Sequence, residues 1–281
     1  MQRFYLTTCA ATLLGLLFSG CGAQQEDAKT KQQVEQNVVT LITRDNPPLP
    51  QIAEFVRDKV KQDNIELRIE YANDGLVPNK SVSDQDMDLN YFQHRTYMQS
   101  AKEINNWDLH DIASTFNSIF GAYSSRFKQL TDLPDGAKVV IPSDPSNGGR
   151  ALNLLATIGF IELKPNTGAK TSVKDITANP KGLKIVEVEH ALVPISYKEA
   201  DLVIMDGAYT AHANLVPKRD ALYLEENNHS YDAVLVANSN SKQRAAVNAV
   251  QQAFTAADTR DFALKNYAGT VTWEPKEAAQ Q

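Results

Sequence analysis

Cysteine is nearly absent. The chain holds two, Cys9 and Cys21, so no disulfide framework can brace the fold. Positive charge is also short: 28 lysines and arginines face 34 aspartates and glutamates, a formal net charge of −6. That balance excludes a nucleic-acid partner, because phosphate binding needs a basic face. Five histidines, His94, His110, His190, His212 and His229, show no paired helical spacing such as His-Glu-x-x-His, which argues against a zinc site. No Gly-x-Ser-x-Gly elbow is present, and a serine hydrolase of that type is excluded. The expectation is therefore a protein without catalytic residues, metal or cofactor. His110 beside Asp111, and His212, read as surface or packing residues, and Glu225-Glu226 as a solvated acidic loop.

Apolar residues are plentiful, at 42% of the 281 residues, enough for a real core and two lobes. The first twenty residues stand apart. Arg3 precedes an apolar run from Phe4 to Phe18, and Ser19 and Gly20 close it before Cys21, the order of a secretory signal peptide. The run is too short for an ordinary spanning helix, which needs about 20 apolar residues. Leu17-Phe18-Ser19-Gly20-Cys21 resembles the lipobox of bacterial lipoproteins, with Phe18 where leucine is usual. The resemblance implies cleavage before Cys21, acylation of that cysteine, and an anchor in the cell envelope on the periplasmic or cell-surface side of a membrane. Residues 21–37 then form a lipidated tether of polar composition.

From Val38 onward, β-branched runs alternate with helical periodicity, which marks α/β architecture. Strands are expected at Val38–Thr43, Ile65–Tyr71, Ala137–Pro142, Leu183–Val188, Asp201–Met205, Ala221–Leu224 and Ala233–Val236. Helices are expected at Pro50–Asp63, Arg150–Ile158 and Lys242–Ala256. Two α/β sets suggest two lobes, 38–120 plus 238–275 and 121–237. Ligands of such sheets bind beyond the carboxyl ends of strands.

Two segments carry candidate chemistry. Ile141 to Leu152 joins a strand end to a helix start through Gly148-Gly149, followed by Arg150. Glycines let backbone approach closely, helix N-terminal amides attract anions, and the arginine fork matches a carboxylate. Arg150 with Asn147 is thus a candidate carboxylate seat, although a tight turn with a surface arginine has the same composition. It is no phosphate loop, because Lys-Ser/Thr does not follow the glycines. In Asn90 to Tyr97, strand alternation puts Phe92 and His94 on one face with Tyr97 just beyond. Such aromatic walls line small-ligand pockets and also plain cores.

Asp144-Pro145-Ser146-Asn147-Gly148-Gly149-Arg150-Ala151-Leu152, Asp88 to His94 and Leu133-Pro134-Asp135-Gly136 resemble the methionine-binding lipoproteins of the NlpA type, with likeness over about 38–255. The resemblance implies a two-lobed, periplasmic-binding-protein-like α/β fold with a ligand cleft between the lobes. It also implies an ABC permease with its ATPase as partner. Phe92, His94 and Tyr97 would line the side-chain pocket, and Asn147 and Arg150 would hold the carboxylate. Two positions depart from the family pattern: Gly75 replaces a tyrosine and Ala208 replaces an asparagine, with Asp206 nearby as a substitute contact. These departures predict an amino-acid-like ligand with a free carboxylate and a remainder different from or larger than methionine, or weak methionine binding. The same fold could instead serve a surface lipoprotein that works through protein contacts.

Overall fold

Short apolar, β-branched runs build two main sheets, each covered on both faces. The computed structural model describes residues 37–165 and 167–274, so the expected signal peptide and Cys21 lie outside the described residues. The chain opens with β1 (Val38–Thr43), α1 (Leu49–Val60), β2 (Glu66–Tyr71), α2 (Val77–Ser83), β3 (Leu89–His94), α3 (Arg95–Asn105) and β4 (His110–Ser118). It continues through β5 (Phe120–Tyr123), β6 (Lys138–Pro142), α4 (Pro145–Thr157), the small hairpin β7 (Glu162–Leu163) with β8 (Ile176–Ala178), and β9 (Lys184–Val188). Then come β10 (Leu202–Asp206), α5 (Gly207–Thr210), β11 (Tyr223–Leu224), β12 (Asp232–Ala237), α6 (Ala245–Thr255), α7 (Ala257–Tyr267) and β13 (Val271–Thr272).

The first sheet has the order β13-β4-β12-β3-β1-β2 and the second β11-β5-β10-β6-β9. In β1, Val39 and Leu41 join the cluster under α1 and α6, whereas Ile42 joins the one on the opposite face. The second sheet repeats the logic: Val139, Ile141, Leu202 and Ile204 face one core, and Val140, Val203 and Met205 the other. Because both faces are buried, these strands read as continuous apolar runs rather than strict alternation. β12 belongs to the first sheet, so the chain returns to it at Asp232, ahead of the boundary at 238 drawn from the sequence. No helix among the described residues is long and apolar enough to cross a membrane.

The strand ahead of α4 falls where the sequence places it, but the helix does not start at Arg150. It starts at Pro145, with the Asp144 side chain accepting the Asn147 N–H at 2.9 Å. An acidic N-cap followed by proline at the first helical position outweighs the low helix propensity of Gly148-Gly149. The glycines form no bend. Gly148 is required for close packing instead, since a Cβ there would lie 2.7 Å from the Pro142 carbonyl oxygen. Gly148→Ala should therefore cost about 1–3 kcal/mol of stability in urea denaturation, as overpacking against backbone does. An unchanged midpoint would show that α4 can slide off the strand end without penalty.

Candidate functional site

The carboxyl ends of strands from both sheets converge on one cavity of about 320 Å³. Arg44 follows β1, His94 ends β3, Ser118 ends β4, Ser143 and Asp144 follow β6, Glu189 and His190 follow β9, and Asp206 ends β10. Parallel strands with crossover helices leave such a crevice at their carboxyl ends, and its volume falls in the range of about 300–1,000 Å³ seen for small-ligand pockets. Phe92, His94, Tyr97, Asn147, Arg150, Gly75, Asp206 and Ala208 all line it. Cys21 lies outside the described residues.

Arg150 is 2% exposed. Its guanidinium sits between two rings, 4.3 Å from the centroid of Phe120 and 4.1 Å from that of Tyr231. Its Nε and Nη2 donate to Glu225 Oε2 at 2.7 and 2.5 Å. Glu225 is thus an ion-pair partner, and the sequence reading of a solvated loop is corrected. Burying the arginine without a counter-charge would cost several kcal/mol, which is why an acid arrives from 75 positions away. Nη1 has no hydrogen bond to the described residues.

His94 caps α3. Its Nδ1 accepts the Tyr97 N–H at 3.1 Å, so the proton resides on Nε2, 3.0 Å from Asn147 Oδ1. Burial, and then the charge of Arg150, push the His94 pKa down to about 4, and the ring is neutral near pH 7. Asn147 in turn donates from Nδ2 to both Asp144 oxygens at 3.1 Å. Its amide is therefore oriented by protein groups on both sides, and the α4 amide of Asn147 is likewise taken by Asp144. The free helix-terminal amide expected from the sequence is not available at this residue.

Across the cavity, Asp206 caps α5 through the Ala208 N–H at 2.9 Å and accepts from Ser118 Oγ at 3.1 Å. His190 Nε2 lies 3.0 Å from Asp206 Oδ2, off the axis of an aligned hydrogen bond. Burial works to raise the Asp206 pKa, but the neighbouring His190 and Arg150 and the Ala208 amide together hold it at about 2. A buried, ionised carboxylate facing a cavity is suited to an ammonium group. The His190 ring also packs on Tyr209, with centroids 4.4 Å apart.

At the remaining end, Phe92 packs edge-on against Tyr97, and Arg44 lies 5.4 Å from the Phe92 centroid. Arg44 Nη1 donates to the Tyr209 hydroxyl at 2.8 Å. Burial raises the Tyr209 pKa to about 12, so the hydroxyl accepts while remaining a neutral phenol.

A family model described as NlpA lipoprotein matches residues 43–273. The chain belongs to the NlpA lipoprotein family. The D-methionine-binding lipoprotein MetQ of Escherichia coli (strain K12) is 31% identical over 272 residues, 95% of this chain and 97% of that protein. The crystal structure of the methionine binding protein MetQ superposes with a TM-score of 0.81 at 29% identity, covering 86% of this chain and 100% of that one. A nutrient binding protein from Burkholderia cenocepacia, solved bound to methionine, gives 0.80 at 31% identity over 84% and 100%. This NlpA-family chain shares their two-lobed α/β fold. Arg44, Tyr209 and Tyr231 were not singled out from the sequence, and His190 and Glu225 were named there without a binding role. Arg44 and His190 could have been found, because each closely follows a strand end.

Proposed function

We propose that this lipoprotein is the substrate-binding component of an ABC importer and captures an amino-acid-like ligand bearing a free carboxylate. The observation that carries the reading is the presence of opposite charges lining one cavity. Arg150 offers its remaining edge to a carboxylate, and ionised Asp206 offers oxygens to an ammonium group. Phe92, His94 and Tyr97 supply the side-chain wall, and Asn147 is a positioning residue that holds His94. Relatives named for methionine binding support the same ligand class. The two sheets are connected at Ile119 and at residues 225–231, which provides a hinge for closure over the ligand. In this reading Cys21 carries the lipid anchor, residues 22–37 tether the lobes to the membrane, and the closed form docks on a permease driven by its ATPase.

A thermal-shift screen of amino acids, their derivatives and dipeptides tests the proposal. Ligand at a hundred times its Kd should stabilise the fold by about 2.7 kcal/mol, or several degrees for a chain of this size. A screen without any shift would remove the support for transport. Capture of a protein partner with no ligand-dependent closure in small-angle scattering would favour a role through protein contacts.

A further inference from the structure

The cleft holds a second arginine, Arg44, whose charge meets no acid at ion-pair distance among the described residues. Arg150 is neutralised by Glu225 and His190 sits beside Asp206. Arg44, by contrast, forms no ion pair with the described residues. Its one hydrogen bond goes to the neutral Tyr209 hydroxyl, and its Nε is buried without a partner. The carboxylate of Asp74 feels the charge from a distance, but its Oδ1 is occupied by the Leu76 and Val77 amides. A guanidinium nitrogen withdrawn from water and left unpaired costs free energy, so its retention at a ligand cavity indicates that an anion completes it.

Gly75 makes the position possible. A Cβ at residue 75 would come within 2.9 Å of both Arg44 Nη2 and the Tyr97 hydroxyl. Any larger side chain would drive the guanidinium out of its place over Phe92. Arg44 and Gly75 therefore act as a matched pair, located among Phe92, Tyr97 and Tyr209, a set that shares no member with the Phe120, Tyr231 and Glu225 around Arg150.

Resting on the amino-acid reading above, we infer that Arg44 determines specificity by binding a second anionic group at the far end of the ligand. The substrate class is then an α-amino acid whose side chain ends in an acid, a carboxylate or a sulfonate, rather than in an apolar thioether.

Calorimetric titration of the full chain, purified in detergent and freed of carried-over ligand, tests this with three probes: L-methionine, L-2-aminoadipate and L-homocysteate. At least one acidic probe should bind ten-fold or more tighter than methionine. Arg44→Gln should weaken that probe about ten- to a hundred-fold, the loss of one charge-assisted contact, a larger loss than the same change causes for methionine. Gly75→Ala, which keeps the charge and displaces it, should weaken the acidic probe in the same direction. Tighter binding of methionine, or an acidic preference that survives Arg44→Gln in a protein with an unchanged melting curve, would overturn the inference and leave the transport reading standing. A blank result with all three probes would also overturn it, and only a blank in the broad amino-acid and dipeptide screen would take the transport reading with it.

Discussion

Arg150→Ala is expected to remove about 3–5 kcal/mol of folding stability and to abolish measurable ligand binding. The stability loss is that of breaking a buried pair from one side, because Glu225 would keep its charge beside a void between Phe120 and Tyr231. The double change Arg150→Met with Glu225→Gln leaves no lone charge and fills most of the volume. It should recover much of the stability while binding stays lost, which separates the structural from the ligand-holding role. Urea denaturation and titration calorimetry on the single and double variants give both readouts. A single-variant cost below about 1 kcal/mol would mean that the pair behaves as an exposed one.

Acidification should destabilise the fold in two successive windows. His94 has a folded pKa of about 4 against an ordinary value of 6.5, so the native state favours its neutral form. Its contribution is complete above about pH 6.5 and is lost as pH falls to about 4, because the unfolded chain takes up the proton first. Because His94 is partly buried, the loss is on the order of 3 kcal/mol or less. Asp206, held at about 2 against 3.8, favours the ionised native form, and its contribution is lost from about pH 3.8 to 2. His94→Asn keeps an N-cap acceptor for the Tyr97 amide and removes the titration. Denaturation midpoints against pH should therefore flatten between 6.5 and 4 in that variant and still fall below 3.8. A wild-type profile already flat in the upper window would contradict a buried, neutral His94.

The legible strands were β1, β6, β10 and β12, whose apolar, β-branched runs are written locally, whereas β4 and β5 were not expected from the sequence. Val39, Leu41 and Ile42 sort to opposite faces by position alone. The start of α4 was misplaced because two glycines outweighed the Asp144-Pro145 cap, whose strength depends on a side chain folding back onto the Asn147 amide. Site residues on a strand end, such as His94 and Asp206, were accessible from the sequence. Glu225 was not, because its meaning depends on Arg150, distant in the chain and brought near only when the second sheet closes. Arg44 carries no motif, and the role proposed for it depends on the space that Gly75 leaves.

The join between the sheets ties mechanical motion to the rim of the cavity. Ile119 is the single residue between β4 and β5, and both of its backbone groups are engaged: its N–H donates to the Thr270 carbonyl at 3.0 Å, and its carbonyl accepts from Gly207 at 2.8 Å. Gly207 directly follows Asp206, so a rotation about Ile119, as the proposed closure requires, would move an acid that lines the cavity. The second connection starts at Glu225, the partner of Arg150. On the proposed reading, bending and gripping share the same atoms, and a substitution at Ile119 is expected to register first in how long a ligand is held, before any change in which ligand is chosen.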